Sequence, residues 1–302
     1  MPNFAPIVVF AYKRVKHLAR TLDALERCPE FASSSVTIYS DGAKSDADRA
    51  DVAAVRSLLA NRRRPNMTII EAPFNRGLAN SIIAGVTEQC NRSGRVIVLE
   101  DDLLLSPIGL TWFNLCLNRF QDDEKVFQIS AHQFPVHALA RRQTGMFLSL
   151  NTSWGWATWK RAWDRFDCSA SGWERLRDNA SLRRRFDLND AYPYARMMEE
   201  QMAGKIDSWA IRWWWSVFCA GGLGLFPPQS LITDIGNDGT ATHPRSRMHR
   251  LVSARPKTAD IRLPTLPNIV AVDQHAQRSV ENYLRRHTQW ARLKRALRCL
   301  RD

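Results

Sequence analysis

Three consecutive carboxylates, Glu100-Asp101-Asp102, directly follow the apolar run Val96-Ile97-Val98-Leu99. Crowded like charges raise one another's pKa, so the arrangement is unfavourable for folding unless a cation offsets it. Mn2+ and Mg2+ suit such a set, because these hard ions take one or two carboxylates and complete their shells with water and phosphate oxygens. A solvated turn after an edge strand would use the same residue types. Asp207 stands between Ile206 and Trp209, an apolar setting that predicts a raised pKa and suits a general base. The competing reading of Asp207 is an N-cap for the helix expected over Trp209 to Phe218.

Weaker candidates surround these. Asp41 lies in Ser40-Asp41-Gly42, an ordinary turn tripeptide that is also placed to accept a hydrogen bond from a nucleobase N–H. Asn75-Arg76-Gly77 reads as a helix cap or as a segment bringing Arg76 toward a diphosphate. Trp154-Gly155-Trp156 offers indole platforms for a sugar ring, with a glycine permitting close approach, although large aromatics more often fill cores. His243 alone is an unremarkable loop histidine.

Positioning these residues requires a regular scaffold, and the hydrophobic pattern supplies one. Ile7 to Ala11, Val36 to Tyr39, Met67 to Ile70 and Arg95 to Leu99 are short β-rich runs. Helical spacing follows the first three: Val15, Leu18, Leu22 and Leu25, then Ala50 to Leu59, then Ile82, Ile83 and Val86. Such alternation predicts an α/β fold with a mostly parallel central sheet flanked by helices, with ligands gathered at the carboxyl ends of the strands. Arg14, Asp41, Asn75 to Gly77 and the acidic triplet all occupy such ends. Further on, a helix is expected over Trp112 to Phe120, a strand over Val126 to Ser130 and another from Phe147. A charged helical stretch is expected over Trp173 to Gln201, and a loop over Leu231 to His243.

Composition narrows the function classes. The 302 residues, 45% hydrophobic and 24% charged, suffice for one large domain or two small ones. Six scattered cysteines lack metal-ligand spacing and suggest a reducing compartment. The opening apolar run is too short for a membrane span and lacks a signal-peptide layout, so a cytoplasmic protein is expected. The formal net charge of +13 favours polyanionic partners, and much of it falls in a basic amphipathic tail around Trp290, Leu293 and Leu297. That tail suggests peripheral association with an anionic membrane surface, on its inner face. Nucleic acid is not expected as a partner, because the aromatics cluster apart from the arginine runs at Arg62 to Arg64 and Arg183 to Arg185.

In order along the chain, these segments resemble the GT-A glycosyltransferases, specifically the N-acetylglucosaminyltransferase I type and bacterial sugar transferases of similar layout. The resemblance runs from Ile7 to His243 and rests on the series Ile7 to Arg14, Ser40-Asp41, Val98 to Leu103, Trp154 to Trp156, Asp207-Ser208-Trp209 and Ile235 to His243. It implies that Asp102 is the direct metal ligand, while Glu100 and Asp101 face the sugar and ribose of a nucleotide-sugar donor, a UDP-sugar of the UDP-GlcNAc kind first among them. It further implies that Phe10, Arg14, Asp41, Arg76, Trp154, Gly155, Trp156 and His243 contact the donor and that Asp207 is the catalytic base. Arg212 departs from the pattern, standing one residue later than in eukaryotic relatives.

The domains expected are 1–262 for transfer, split near 105 into donor and acceptor halves, and 263–302 for the tail. The activity expected is metal-dependent inverting transfer to a hydroxyl of a surface glycan or lipid-linked acceptor. A nucleotidyltransferase would show a glycine-rich phosphate loop soon after the first strand, and Tyr12 to Lys16 contains no glycine. A non-catalytic carbohydrate- or polyanion-binding protein would have no need of the acidic triplet.

Overall fold

A computed structural model describes residues 4–239 and 262–299. Its centre is an eight-stranded sheet in the order β3-β2-β1-β4-β8-β6-β9-β7. The first half is the alternation expected from sequence: β1 (Ile7–Ala11), α1 (Val15–Glu26), β2 (Val36–Ser40), α2 (Arg49–Asn61), β3 (Met67–Glu71), α3 (Leu78–Ser93) and β4 (Arg95–Glu100). These four strands are parallel, with β1 between β2 and β4, so the first and fourth strands lie side by side. β1 and Val96 to Leu99 of β4 are apolar and buried because helices cover both faces: α1 buries Leu18, Leu22 and Leu25 on one side, and α3 buries Ile82 and Val86 on the other.

The second half adds β5 (Leu103–Leu105), α4 (Gly109–Arg119), β6 (Val126–Ser130), α5 (His137–Ala140), β7 (Met146–Leu148), β8 (Trp156–Trp159) and α6 (Lys160–Trp163). It continues through α7 (Arg175–Asp178), α8 (Ala180–Phe186), α9 (Tyr194–Met202), α10 (Trp209–Cys219), β9 (Leu223–Phe226), β10 (Ile232–Asp234) and α11 (Gln274–Cys299). Here β8 runs antiparallel to both β4 and β6.

Three expectations change. The charged stretch over Trp173 to Gln201 is broken into α7, α8 and α9: Asn179 is extended (φ −126°, ψ 96°) between the first two, and Leu188, Asn189 and Asp190 adopt left-handed φ values of 51°, 54° and 62° between the last two. The loop expected over Leu231 to His243 begins as β10, which pairs antiparallel with β5 and so satisfies the backbone of Leu103 to Leu105. The tail expected from 263 is joined to the fold over its first half: Val272 bridges Phe147, and Ala276, Val280 and Leu284 on α11 are buried in the core. Among the described residues no helix is long and apolar enough to cross a membrane.

Candidate functional site

The sheet delivers its polar residues to one end. Phe10 pairs in register with Tyr39 on one side and Glu100 on the other, so three neighbouring strands end together. Just beyond them lies a cavity of about 260 Å³, lined by Phe10, Arg14, Asp41, Glu100, Asp101 and Asp207 among others. Its wall includes the Phe10 and Tyr39 rings, stacked at 5.2 Å and 11°.

Arg14 leaves the chain between β1 and α1, where its carbonyl accepts from the Leu18 N–H at 3.0 Å. Its guanidinium donates to both Asp101 and Asp102, the latter at 2.8 Å. Both carboxylates are buried. Burial works against the Arg14 charge, yet the two carboxylates hold its pKa above the ordinary value. Burial pushes the Asp101 carboxyl above the usual carboxylate range, with Arg14 pulling the other way. The Asp101 carbonyl also accepts from Thr21 on α1 at 2.8 Å, and the Asp102 carbonyl accepts from the Ile235 N–H at 2.9 Å.

The triplet does not form a cage by itself: among the described residues no three His, Cys, Asp or Glu side chains converge as metal ligands. Mg2+ or Mn2+ needs no such cage, since one or two carboxylates plus substrate phosphates suffice. Oxygen ligands on Asp101 and Asp102 suit a hard cation, and Arg14 Nη1, buried with no hydrogen-bond partner among the described residues, is a donor open to an anionic oxygen such as that of a phosphate.

Asp41 lines the cavity and is also hydrogen-bonded within its own turn. Its Oδ1 accepts from the Gly42 N–H and the Arg76 N–H, each at 2.8 Å. Its Oδ2 accepts from Asn75 Nδ2 at 3.1 Å and the Gly77 N–H at 3.0 Å. A carboxylate offers about four lone-pair sites, so much of the accepting capacity of this one serves the turn and the entry to α3. Gly42 belongs to the same clasp, because a Cβ there would stand 2.4 Å from the Phe74 carbonyl carbon. The Arg76 side chain is exposed and lines a separate shallow depression with Phe74 and Asn80, outside the cavity.

No protein-family model and no curated protein matches the chain. Several solved structures are similar to it in fold. The mannosyltransferase PcManGT from Pyrobaculum calidifontis, solved in complex with GDP-Man and Mn2+, is 14% identical over 72% of this chain and 70% of that one, with a TM-score of 0.40. An active-site mutant of LgtC is 15% identical over 91% of this chain and 94% of that one, with a TM-score of 0.39. GalNAc-T7 with UDP, GalNAc and Mn2+ is 8% identical over 76% of this chain but only 43% of that one, with a TM-score of 0.45.

The remaining candidates divide. Asp207 reaches the cavity from the loop before α10 and faces Arg212 Nη2 at 3.3 Å. Its side chain is 58% exposed, so the apolar surroundings expected from its sequence neighbours are not what it meets. Ser208 is the N-cap, accepting from the Ile211 N–H at 3.4 Å, which leaves Asp207 free of that role. Trp156 is a core residue on β8, stacked on Trp209 at 5.1 Å. Gly155 has φ 64°, and a Cβ there would lie 2.3 Å from Ile232 Cδ1, so it lets β10 close on the sheet. Trp154 lines a second cavity beyond Asp207. His243 lies outside the described residues.

Tyr39 and Lys44 also line the first cavity. Their only sequence signal is placement at and just after the end of β2, which no local motif marks.

Proposed function

We propose that this protein is a nucleotide-sugar-dependent glycosyltransferase whose donor occupies the cavity at the carboxyl ends of β1, β2 and β4. The observation carrying this reading is that Asp207, from the far half of the chain, shares that cavity with Arg14, Glu100 and Asp101. An acidic pair held by an arginine then stands beside a carboxylate open to solvent, which suits direct displacement of a diphosphate from a sugar's anomeric carbon: charge control on one side and a base on the other.

In this proposal the nucleobase lies against the stacked Phe10 and Tyr39 rings, and Glu100 and Asp101 face the ribose and sugar. Asp102, with Asp101 beside it, would hold a Mn2+ or Mg2+ ion. When bound, that ion would offset the charge of the diphosphate leaving group. Arg14 places both carboxylates and brings positive charge to the diphosphate. Asp207 takes the proton from an acceptor hydroxyl as that oxygen attacks the anomeric carbon, giving inversion, and Arg212 orients it. A UDP-sugar is the donor, and the acceptor is a hydroxyl of a surface glycan or lipid-linked sugar.

The basic residues Arg292, Lys294, Arg295, Arg298 and Arg301 dock the protein on an anionic membrane surface facing the cytoplasm. Because Leu284 and Thr288 pack into the fold, the truncation that isolates this role begins after Thr288. Cosedimentation with anionic vesicles should disappear in that truncation and persist in the intact chain.

The deciding experiment measures hydrolysis of UDP-, GDP-, CMP- and dTDP-sugars with and without Mn2+, for wild type and Asp102→Ala, with folding of the variant followed by circular dichroism. Slow metal-dependent release of UDP from one donor, lost in the folded variant, is the expected result. Failure of every nucleotide sugar to bind or react would overturn the reading.

A further inference from the structure

The second cavity, of about 200 Å³, lies where the loop carrying Asp207 passes into α10: Asp207 lines the first cavity, while Ser208 and Trp209 line the second. Its walls come from four separate parts of the fold. Asn151, Thr152, Ser153 and Trp154 precede β8, Tyr192, Tyr194 and Met197 lie at the start of α9, Trp209 and Trp214 belong to α10, and Leu284 comes from α11.

The composition of this lining is unusual for this chain. Forty-three basic and thirty acidic residues are present overall, yet no Asp, Glu, Lys, Arg or His is among the described residues lining the cavity. An anion or cation placed there would lose its hydration without gaining a counter-charge. The lining is nonetheless not purely apolar. Asn151 is nine-tenths buried and makes no side-chain hydrogen bond among the described residues. Its amide atoms stay open to solvent in the cavity, so their donors and acceptor are available to the hydroxyl groups of a ligand. Ser153 and Ser208 add hydroxyl groups to the same space.

Aromatic faces together with the Asn151 amide, the Ser153 hydroxyl and the remaining O–H donor of Ser208 match a molecule with an apolar face and a hydroxylated edge. Sites for drug-sized ligands run from about 300 Å³ upward, so the space here suits one small ring.

We infer that this second cavity binds a single uncharged pyranose ring, the terminal sugar of the acceptor. The inference rests on the transferase reading for the word acceptor, but the ring site itself needs neither donor nor metal. The aromatic walls cover the ring faces, Asn151 bonds its hydroxyls, and the reacting hydroxyl points across Ser208 toward Asp207. Phosphorylated sugars and uronic acids are excluded at this subsite by the lack of counter-charge.

Saturation-transfer NMR with the methyl glycosides of glucose, galactose and N-acetylglucosamine, set against glucuronate and glucose 6-phosphate, tests this on the full chain without donor. At least one neutral glycoside should give a signal and the charged sugars none. Met197→Trp, which fills the cavity, should abolish that signal while UDP still binds the first cavity. Asn151→Ala, a milder change, should weaken binding roughly tenfold, as expected for one buried hydrogen bond of about 1.4 kcal/mol. The inference is overturned if no neutral glycoside binds, if charged sugars bind as well, or if both variants that still bind UDP keep wild-type ring binding. Ring binding without any nucleotide-sugar reaction would sink the transferase reading and leave the cavity assignment standing; donor hydrolysis without ring binding would do the reverse.

Discussion

Arg14 and Asp102 lie 88 positions apart in the chain, yet Arg14 Nη2 stands 2.8 Å from Asp102 Oδ2 with both side chains nearly removed from solvent. The same guanidinium also holds Asp101, so a single arginine at the start of α1 compensates two adjacent acids at the end of β4. Parallel pairing of β1 with β4 is what brings them together. Removing the arginine leaves two buried carboxylates without a counter-charge, which costs about 3–5 kcal/mol. Arg14→Gln should lower the urea midpoint accordingly at neutral pH, and an unchanged midpoint would show that the buried pair needs no such compensation.

Asp41 gives a test of base recognition. If its carboxylate serves the turn, Asp41→Ala should cost about 2–4 kcal/mol of stability, since several buried donors lose their acceptor. Asp41→Asn, which keeps two of the four interactions in shape, should weaken UDP and CDP binding to the same degree. A variant that altered the preference between the two nucleotides would give Asp41 the base-reading role.

Gly155 is constrained twice, by its positive φ and by Ile232. Gly155→Ala should destabilise by about 2–4 kcal/mol from the left-handed backbone and the overlap combined. In an Ile232→Ala background, which as a buried truncation costs about 2–5 kcal/mol by itself, adding Gly155→Ala should cost less than it does in wild type because the clash is gone. A thermal melt of the single and double variants separates the backbone and packing contributions.

For Asp207, the proposed base, Asp207→Asn should lower kcat by about 10²–10⁴ while leaving UDP affinity unchanged, because the side chain is exposed and asparagine keeps an oxygen for the nearly buried Arg212 guanidinium. Stability should change little. Retention of most of the wild-type rate under saturating donor would show that another group takes the proton.

Asp187, which lines neither of the two cavities, sets a pH dependence. Burial pushes its carboxyl up to about 6, while its Oδ1 accepts from the Ala195 N–H at 2.6 Å. With a folded-state pKa above the unfolded value of about 3.9, the native state binds the extra proton. Its contribution to stability is therefore fully present below about 4 and is lost as pH rises through about 6. Asp187→Asn should flatten the urea-midpoint profile across that window; a profile unchanged by the substitution would show that other groups govern it.

Much of the scaffold was legible because it depends on local periodicity. The runs Ile7 to Ala11 and Val126 to Ser130 are strands with the bounds their alternation and β-branched residues predict, and α1 buries the leucines its spacing selects. What failed locally was decided by partners far along the chain. β5 and β10 are three residues each, too short to carry a period, and exist because each completes the other's hydrogen bonds. The break at Leu188 to Asp190 is a backbone choice with no glycine to announce it.

The same division holds at the site. By itself the sequence determined that acids follow β4, that an arginine follows β1 and that Asp207 precedes a tryptophan-rich helix, because residue type and strand-end placement are local properties. Only the tertiary structure decided that Asp41 accepts hydrogen bonds from the Asn75 to Gly77 turn, that Trp156 is core while Trp154 is cavity wall, and that Asp207 faces Arg212 in solvent. A side chain's chemical availability depends on what else reaches it through space: lone pairs already accepted, faces already packed, charges already paired. Those quantities belong to contacts between distant segments, and no local pattern of residues encodes them.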